Sequence, residues 1–321
     1  MLSTKTLSSL LLGALSLAPG VAGAVSLLPG DIVVLGTSEA GSGLIQVDPV
    51  TGSQSLISQN GDAAYSDFAI SPGGELFATT GDSVVRVDPS DGSRTAVSSG
   101  GALLDAMAIA AGADALYVMT PTGILGVDPV SGAQTPISSG GFIGDPRDLG
   151  LLPSGDLLAL DTASLSGSGL QLFTVDVLSG DQTLVPALAG DLPDPSGLGI
   201  GPGGEIFVSD FSQRQSVLLV DPVTGATSEA TGADLVNSPT TLVLDVAVDP
   251  TGALLVPLLV IGAPNQLVRA EAGGPGAAPL TPGFFDEVEV VPDAIVPEPS
   301  AAVVFAAGLL VAGTSLRRKR G

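Results

Sequence analysis

Asp67, Asp148, Asp245 and Glu287 each stand just ahead of a short apolar stretch, at equivalent points of a unit that recurs along the chain. Carboxylates repeated in this way converge if the units are arranged in a ring. Four of them around one channel mouth could supply hard oxygen ligands to Ca²⁺, which takes six to eight. A pair at suitable separation could instead serve glycoside cleavage as acid and base. Ala106 and Gly197 fill the two remaining equivalent places, with Asp105 adjoining the first, so the ring of acids is incomplete. The same residues have a simpler reading, in which each Asp accepts backbone N–H bonds where a strand begins and recurs because the unit recurs.

A second acidic series sits in the phrase Val-Asp-Pro-x-Thr/Ser-Gly, at Asp48, Asp88, Asp128, Asp176 and Asp221, with a decayed copy ending at Glu271. The spacings are 40, 40, 48 and 45 residues, then 50 to Glu271. These aspartates read as caps of their own turns. Asp88-Pro89-Ser90-Asp91-Gly92 lacks the alternate ligands and the distal Glu of a calcium loop.

What is missing narrows the chemistry. The chain has no histidine, which removes Ser-His nucleophile pairs, the commonest general base and most zinc sites. With no cysteine it has no disulfide to lean on. With no Trp and two Tyr it has few aromatic platforms for sugar stacking. Between Val25 and Pro297 there are 32 acidic residues against five arginines, a net of −27. Such a surface repels nucleic acid and anionic lipid.

The elements that must position the acids follow from the repeat. Each Asp-Pro phrase closes one hairpin. A second phrase, apolar strand, Pro/Gly turn, apolar strand, closes another, as in Leu198-Gly199-Ile200-Gly201-Pro202-Gly203-Gly204-Glu205-Ile206-Phe207. Proline presets φ and glycine supplies positive φ in such turns. Complete units span 67–97, 105–137, 148–185, 197–230 and 244–281. The ends supply a sixth: Val288–Pro292 reads as a first strand, and Asp31–Leu35 as a second strand followed by the Asp48 hairpin. The sequence therefore predicts an all-β fold, a six-bladed β-propeller of four-stranded blades closed by N- and C-terminal strands. Gly262–Pro282 fits the pattern least well, and Glu271–Ala277 reads as an irregular loop.

The two ends carry an address. Residues 1–24 read as a secretory signal peptide, with Lys5, an apolar run over Leu7–Leu17 and Ala22-Gly23-Ala24 before a mature start near Val25. The propeller is expected over 25–293. Residues 294–321 form a tail: Pro297-Glu298-Pro299, an uncharged apolar segment over about 301–316 that reads as a short transmembrane helix, then Arg317-Arg318-Lys319-Arg320. Pro-Glu-Pro, apolar helix and basic end in that order resemble the PEP-CTERM sorting signal of Gram-negative bacteria. The resemblance implies that an exosortase recognises Pro297, Glu298 and Pro299, after transient inner-membrane insertion pinned by Arg317, Arg318, Lys319 and Arg320. It also implies delivery to the cell surface, the outer envelope or an exopolysaccharide matrix.

The blades resemble, more loosely, the NHL and gluconolactonase-like six-bladed propellers, through phrases such as Gly204-Glu205-Ile206-Phe207-Val208-Ser209-Asp210. A metal site of the gluconolactonase type wants Glu, Asn and Asp together, and asparagine occurs here at Asn60, Asn237 and Asn265. The streptogramin-lyase propellers rely on histidine. The expected function is a non-enzymatic surface or exopolysaccharide-matrix interaction protein without a cofactor other than a possible Ca²⁺. The alternative is a Ca²⁺-dependent hydrolase or lactonase.

Overall fold

The structure, a computed structural model, describes residues 25–61, 63–162, 171–186, 195–211, 216–231, 241–274 and 277–293. The predicted signal peptide and the whole tail, including Pro297, Glu298, Pro299 and Arg317–Arg320, lie outside the described residues. Among the described residues no helix is long and apolar enough to cross a membrane.

The described residues form six antiparallel sheets. The closing blade joins the two ends: Phe284–Val290 is innermost, followed outward by Ile32–Ser38, Gly41–Val47 and Gln54–Gln59. Ile32 pairs with Val290 and Val34 with Val288, as the split unit requires. The second blade runs Asp67–Ile70, Leu76–Thr79, Ser83–Val87 and Arg94–Ser99; the third runs Ala108–Ala111, Leu116–Thr120, Gly123–Val127 and Gln134–Ser139. The fourth begins with Pro146–Leu151 and ends with Gln182–Leu184, and the fifth begins with Pro195–Ile200 and ends with Thr227–Glu229. In the sixth blade the inner strand is split into Thr241–Val243 and Ala247–Val248, both paired with Ala253–Val260.

Two boundaries differ from the sequence reading. The last inner strand starts at Phe284 rather than Val288, because Ile32–Ser38 offers pairing partners that far back, past a register shift at Leu35/Gly36. Glu271–Ala277 is not wholly irregular: Gln266–Glu271 and Ala277–Pro282 are paired strands, and a turn between them replaces the Asp-Pro phrase.

The apolar interior is divided rather than central. Six buried clusters lie one between each pair of neighbouring blades; Ala69, Phe77 and Val84 of the second blade, for example, pack on Ile109, Val118 and Leu125 of the third. Both faces of the second strand of a blade are therefore covered, so Leu157–Asp161 and Ile206–Asp210 are buried at every residue instead of alternating. The outermost strands keep exposed positions, as in Arg94–Ser99.

A repeated clasp ties the rims of several blades. Gln134 Nε2 donates to Ser98 Oγ and Gly100 O, both at 3.0 Å, and Ser98 Oγ donates to Gly132 O at 2.8 Å. Gln182 and Ser138 repeat the arrangement one blade on. Gly132 takes φ +71° there, and a Cβ would run into the carbonyl oxygen of Val97, so this turn requires glycine.

Candidate functional site

The six inner strands line a central channel, and an inner strand has an unpaired edge facing it. Buried N–H groups along such an edge need acceptors. The fold solves this with three aspartates. Asp67 accepts the N–H of Phe68 at 2.6 Å through Oδ1 and that of Ile109, in the next blade, at 2.7 Å through Oδ2. Asp148 does the same for Leu149 and Leu198, both at 2.6 Å. Asp245 takes Val246 and, at 2.8 Å, Val288. Six equivalent N–H groups are thus satisfied by three side chains, each strapping one blade to the next.

This alternation explains the gaps in the acidic ring. The place equivalent to Asp67 in the third blade is Ala108, which precedes the bonded Ile109, and not Ala106; the turn Gly112–Ala115 lacks the proline that marks its counterparts. Ala108 needs no acceptor because Asp67 already reaches across. In the fifth blade the place falls to Gly197, where a Cβ would collide with Asp245 Oδ1. Absence of a side chain there lets the Asp245 carboxyl lie over the strand.

Glu287 occupies the sixth place and belongs to no strap, because Asp67 already holds the Phe68 N–H that it would meet. It hydrogen-bonds the Asp245 carboxyl instead. Two residues on, Glu289 lines the same channel beside the N–H of Val290. The sequence reading did not include Glu289. Its signal was the spacing: Glu287 and Glu289 flank Val288, and the two-residue period of a strand places both on one side of it.

The channel has a volume of ≈ 580 Å³. The carboxyls of Asp67, Asp148, Asp245 and Glu287 lie toward the end where the inner strands begin, Glu289 lies two residues further along, and Pro72, Pro202, Pro250 and Pro292 mark the other end. No Arg or Lys is among the described lining residues. All five acids are consequently shifted upward, chiefly by burial. Burial and then the Asp245 charge push Asp148 up to about 8, and burial brings Asp245 to about 6 against its backbone bonds. Glu289 rises to about 8 through burial and the charges of Asp245 and Asp148. Asp67 and Glu287 are driven well above the ordinary carboxylate range by burial and neighbouring carboxylates. The group therefore titrates as a set and stores protons near neutral pH. Among the described residues, no three acidic side chains converge at the spacing of a metal site.

The outer aspartates behave oppositely. Asp48, Asp128, Asp176 and Asp221 each accept two successive turn N–H groups on one oxygen, at 2.7–3.1 Å. Those bonds hold their pKa below the ordinary value at full exposure. They cap turns, as expected.

No protein-family model matches the chain, and no curated protein matches it by sequence. Solved structures share its fold. A chain of a nidogen/laminin complex superposes with TM-score 0.60 at 11% identity, over 82% of this chain and 99% of that one. A gluconolactonase from Xanthomonas campestris gives TM-score 0.53 at 16% identity, over 80% and 90%. Virginiamycin B lyase from Staphylococcus aureus gives 0.51 at 14%, over 83% and 85%. Identities this low carry the six-bladed architecture and leave activity open.

Proposed function

We propose that this chain is an exported, non-enzymatic binding module of the cell surface or extracellular matrix, held briefly at the inner membrane by its tail and released by an exosortase. Its ligand contacts the acidic end of the central channel and carries positive charge; Ca²⁺, which would have to draw these carboxyls together from their present spacing, is the simplest candidate. The observation that supports this reading is the surplus of carboxyls: three aspartates suffice for the backbone, yet Glu287 and Glu289 are placed beside them with no cation in the described lining. A cation entering there would displace the protons that burial retains. The lack of histidine removes the usual base and nucleophile partner, which supports binding over turnover.

Calorimetry with Ca²⁺ at pH 8 tests the proposal. The chain should bind Ca²⁺ with release of protons, and the combined Glu287→Gln and Glu289→Gln variant should lose that binding while staying folded. A parent protein that neither takes up Ca²⁺ nor releases protons would remove the Ca²⁺ candidate. Hydrolysis of a lactone by the Ca²⁺-loaded protein would replace the binding module with the hydrolase reading.

A further inference from the structure

We infer that the face carrying the Asp-Pro turns is a membrane-facing surface, its apolar tips seated on an electroneutral lipid bilayer while the tail is inserted. This rests on the reading of residues 301–316 as a membrane segment.

The topology decides which face can reach the bilayer. Strands alternate in direction within each blade, so the turn joining first to second strand and the turn joining third to fourth lie on one face. The chain enters and leaves the propeller on this same face. Gly30 N donates to Val291 O at 2.9 Å, and Pro292 and Asp293 lie beside Pro72, Pro202 and Pro250 at that end of the channel. Residues 294–300 are all that separates Asp293 from the apolar run at Ala301, a reach of at most about 25 Å when fully extended. The inner strand Phe284–Val290 alone measures about 23 Å at ~3.3 Å per residue. A tether reaching a bilayer on the opposite face would be spent on the depth of the ring before it cleared the rim.

The turn face has the side chains for such a contact. Val50, Val130, Leu178 and Val223 are 88%, 91%, 96% and 79% exposed. Each is the second residue after the turn aspartate, and the bond from its N–H to that carboxylate fixes the turn with the apolar side chain at its tip. Ser90 takes the place in the second blade. Four blades therefore present apolar tips in register, and Leu28, 60% exposed, adds a fifth beside the N-terminal strand. The carboxylates of the same turns repel anionic headgroups, which selects an electroneutral surface. In this orientation the acidic end of the channel points away from the lipid.

The chain has no cysteine, so Val130→Cys or Leu178→Cys on the turn face, and Leu104→Cys or Ile261→Cys on the opposite face, each accept a single fluorophore. The full-length labelled chain is reconstituted in phosphatidylcholine vesicles containing lipid with a nitroxide on its headgroup. Turn-face labels should lose most of their emission and opposite-face labels should keep theirs. Adding Val50→Ser and Val223→Ser, or replacing part of the lipid by an anionic one, should restore emission at the turn-face label. A chain that floats with the vesicles but is quenched equally on both faces, or more on the opposite one, overturns the orientation and leaves the tail reading standing. A chain that does not float overturns both. Quenching that needs a high protein concentration and no nitroxide would put a second copy on this face and overturn the lipid contact.

Discussion

Two circles of aspartate run through this propeller, and the same repeat wrote both. The inner circle, Asp67, Asp148 and Asp245, uses both carboxyl oxygens, one for its own strand and one for the next blade. The outer circle, Asp48, Asp128, Asp176 and Asp221, uses one oxygen twice within a single turn. Burial and crowding raise the inner pKa values, whereas exposure and two N–H bonds lower the outer ones. Residue type and repetition alone do not say whether an acid is a strap, a cap or a site. The number of oxygens in use, and the element that each one reaches, do.

The largest effect should come from an isosteric change to the inner circle. Asn keeps one carbonyl oxygen, but its amide nitrogen has no free lone pair for the second N–H. Asp148→Asn therefore leaves Leu149 or Leu198 with an unsatisfied buried N–H, a loss of about 1–3 kcal/mol for that group. Urea unfolding of the variant measures it, and an unchanged midpoint would break the strap description.

A smaller effect should follow pH. For the inner acids the folded pKa lies above the unfolded value near 3.8, so the folded chain holds protons that the unfolded chain releases. The stability they contribute is full below that value and is lost as pH rises through about 6 to about 8. The outer acids work with the opposite sign: their contribution is present above 3.8 and is lost as pH falls through their lowered values. The melting temperature should accordingly be higher at pH 5 than at pH 8.5. A scan that rises steadily over that interval would contradict the burial of the channel acids.

The smallest effect belongs to the outer circle. Asp128→Asn keeps an oxygen that can accept both turn N–H bonds and gives up only an exposed charge, so its melting curve at pH 7 should fall slightly below that of the parent. Destabilisation as large as that of Asp148→Asn would erase the difference between the circles.

Much of this was legible in the sequence because the repeat is punctuated. Asp-Pro-x-Thr/Ser-Gly and the Pro/Gly turn mark the hairpins, and the half-units at either end allow one closure. Asp67, Asp148, Asp245 and Glu287 could be placed at one level of the ring for the same reason. What could not be read was the use of the second oxygen. Its partners lie 42, 50 and 43 residues away, at Ile109, Leu198 and Val288, and become neighbours only when blades are stacked. Glu289 was missed because alignment on the turns selected one position per unit, and its acid is peculiar to the closing strand. The turn Gly112–Ala115 has no proline to anchor the comparison, so the sequence points to Ala106 where the structure has Ala108.

The most direct test is a site-resolved carboxyl titration by NMR on ¹³C-labelled protein spanning the described blades. Asp148 and Glu289 should titrate near 8, Asp245 near 6, and Asp48, Asp128, Asp176 and Asp221 below 3.8. Channel and turn carboxyls that titrate together, all below about 5 in the ordinary carboxylate range, would contradict the division of the aspartates into two circles.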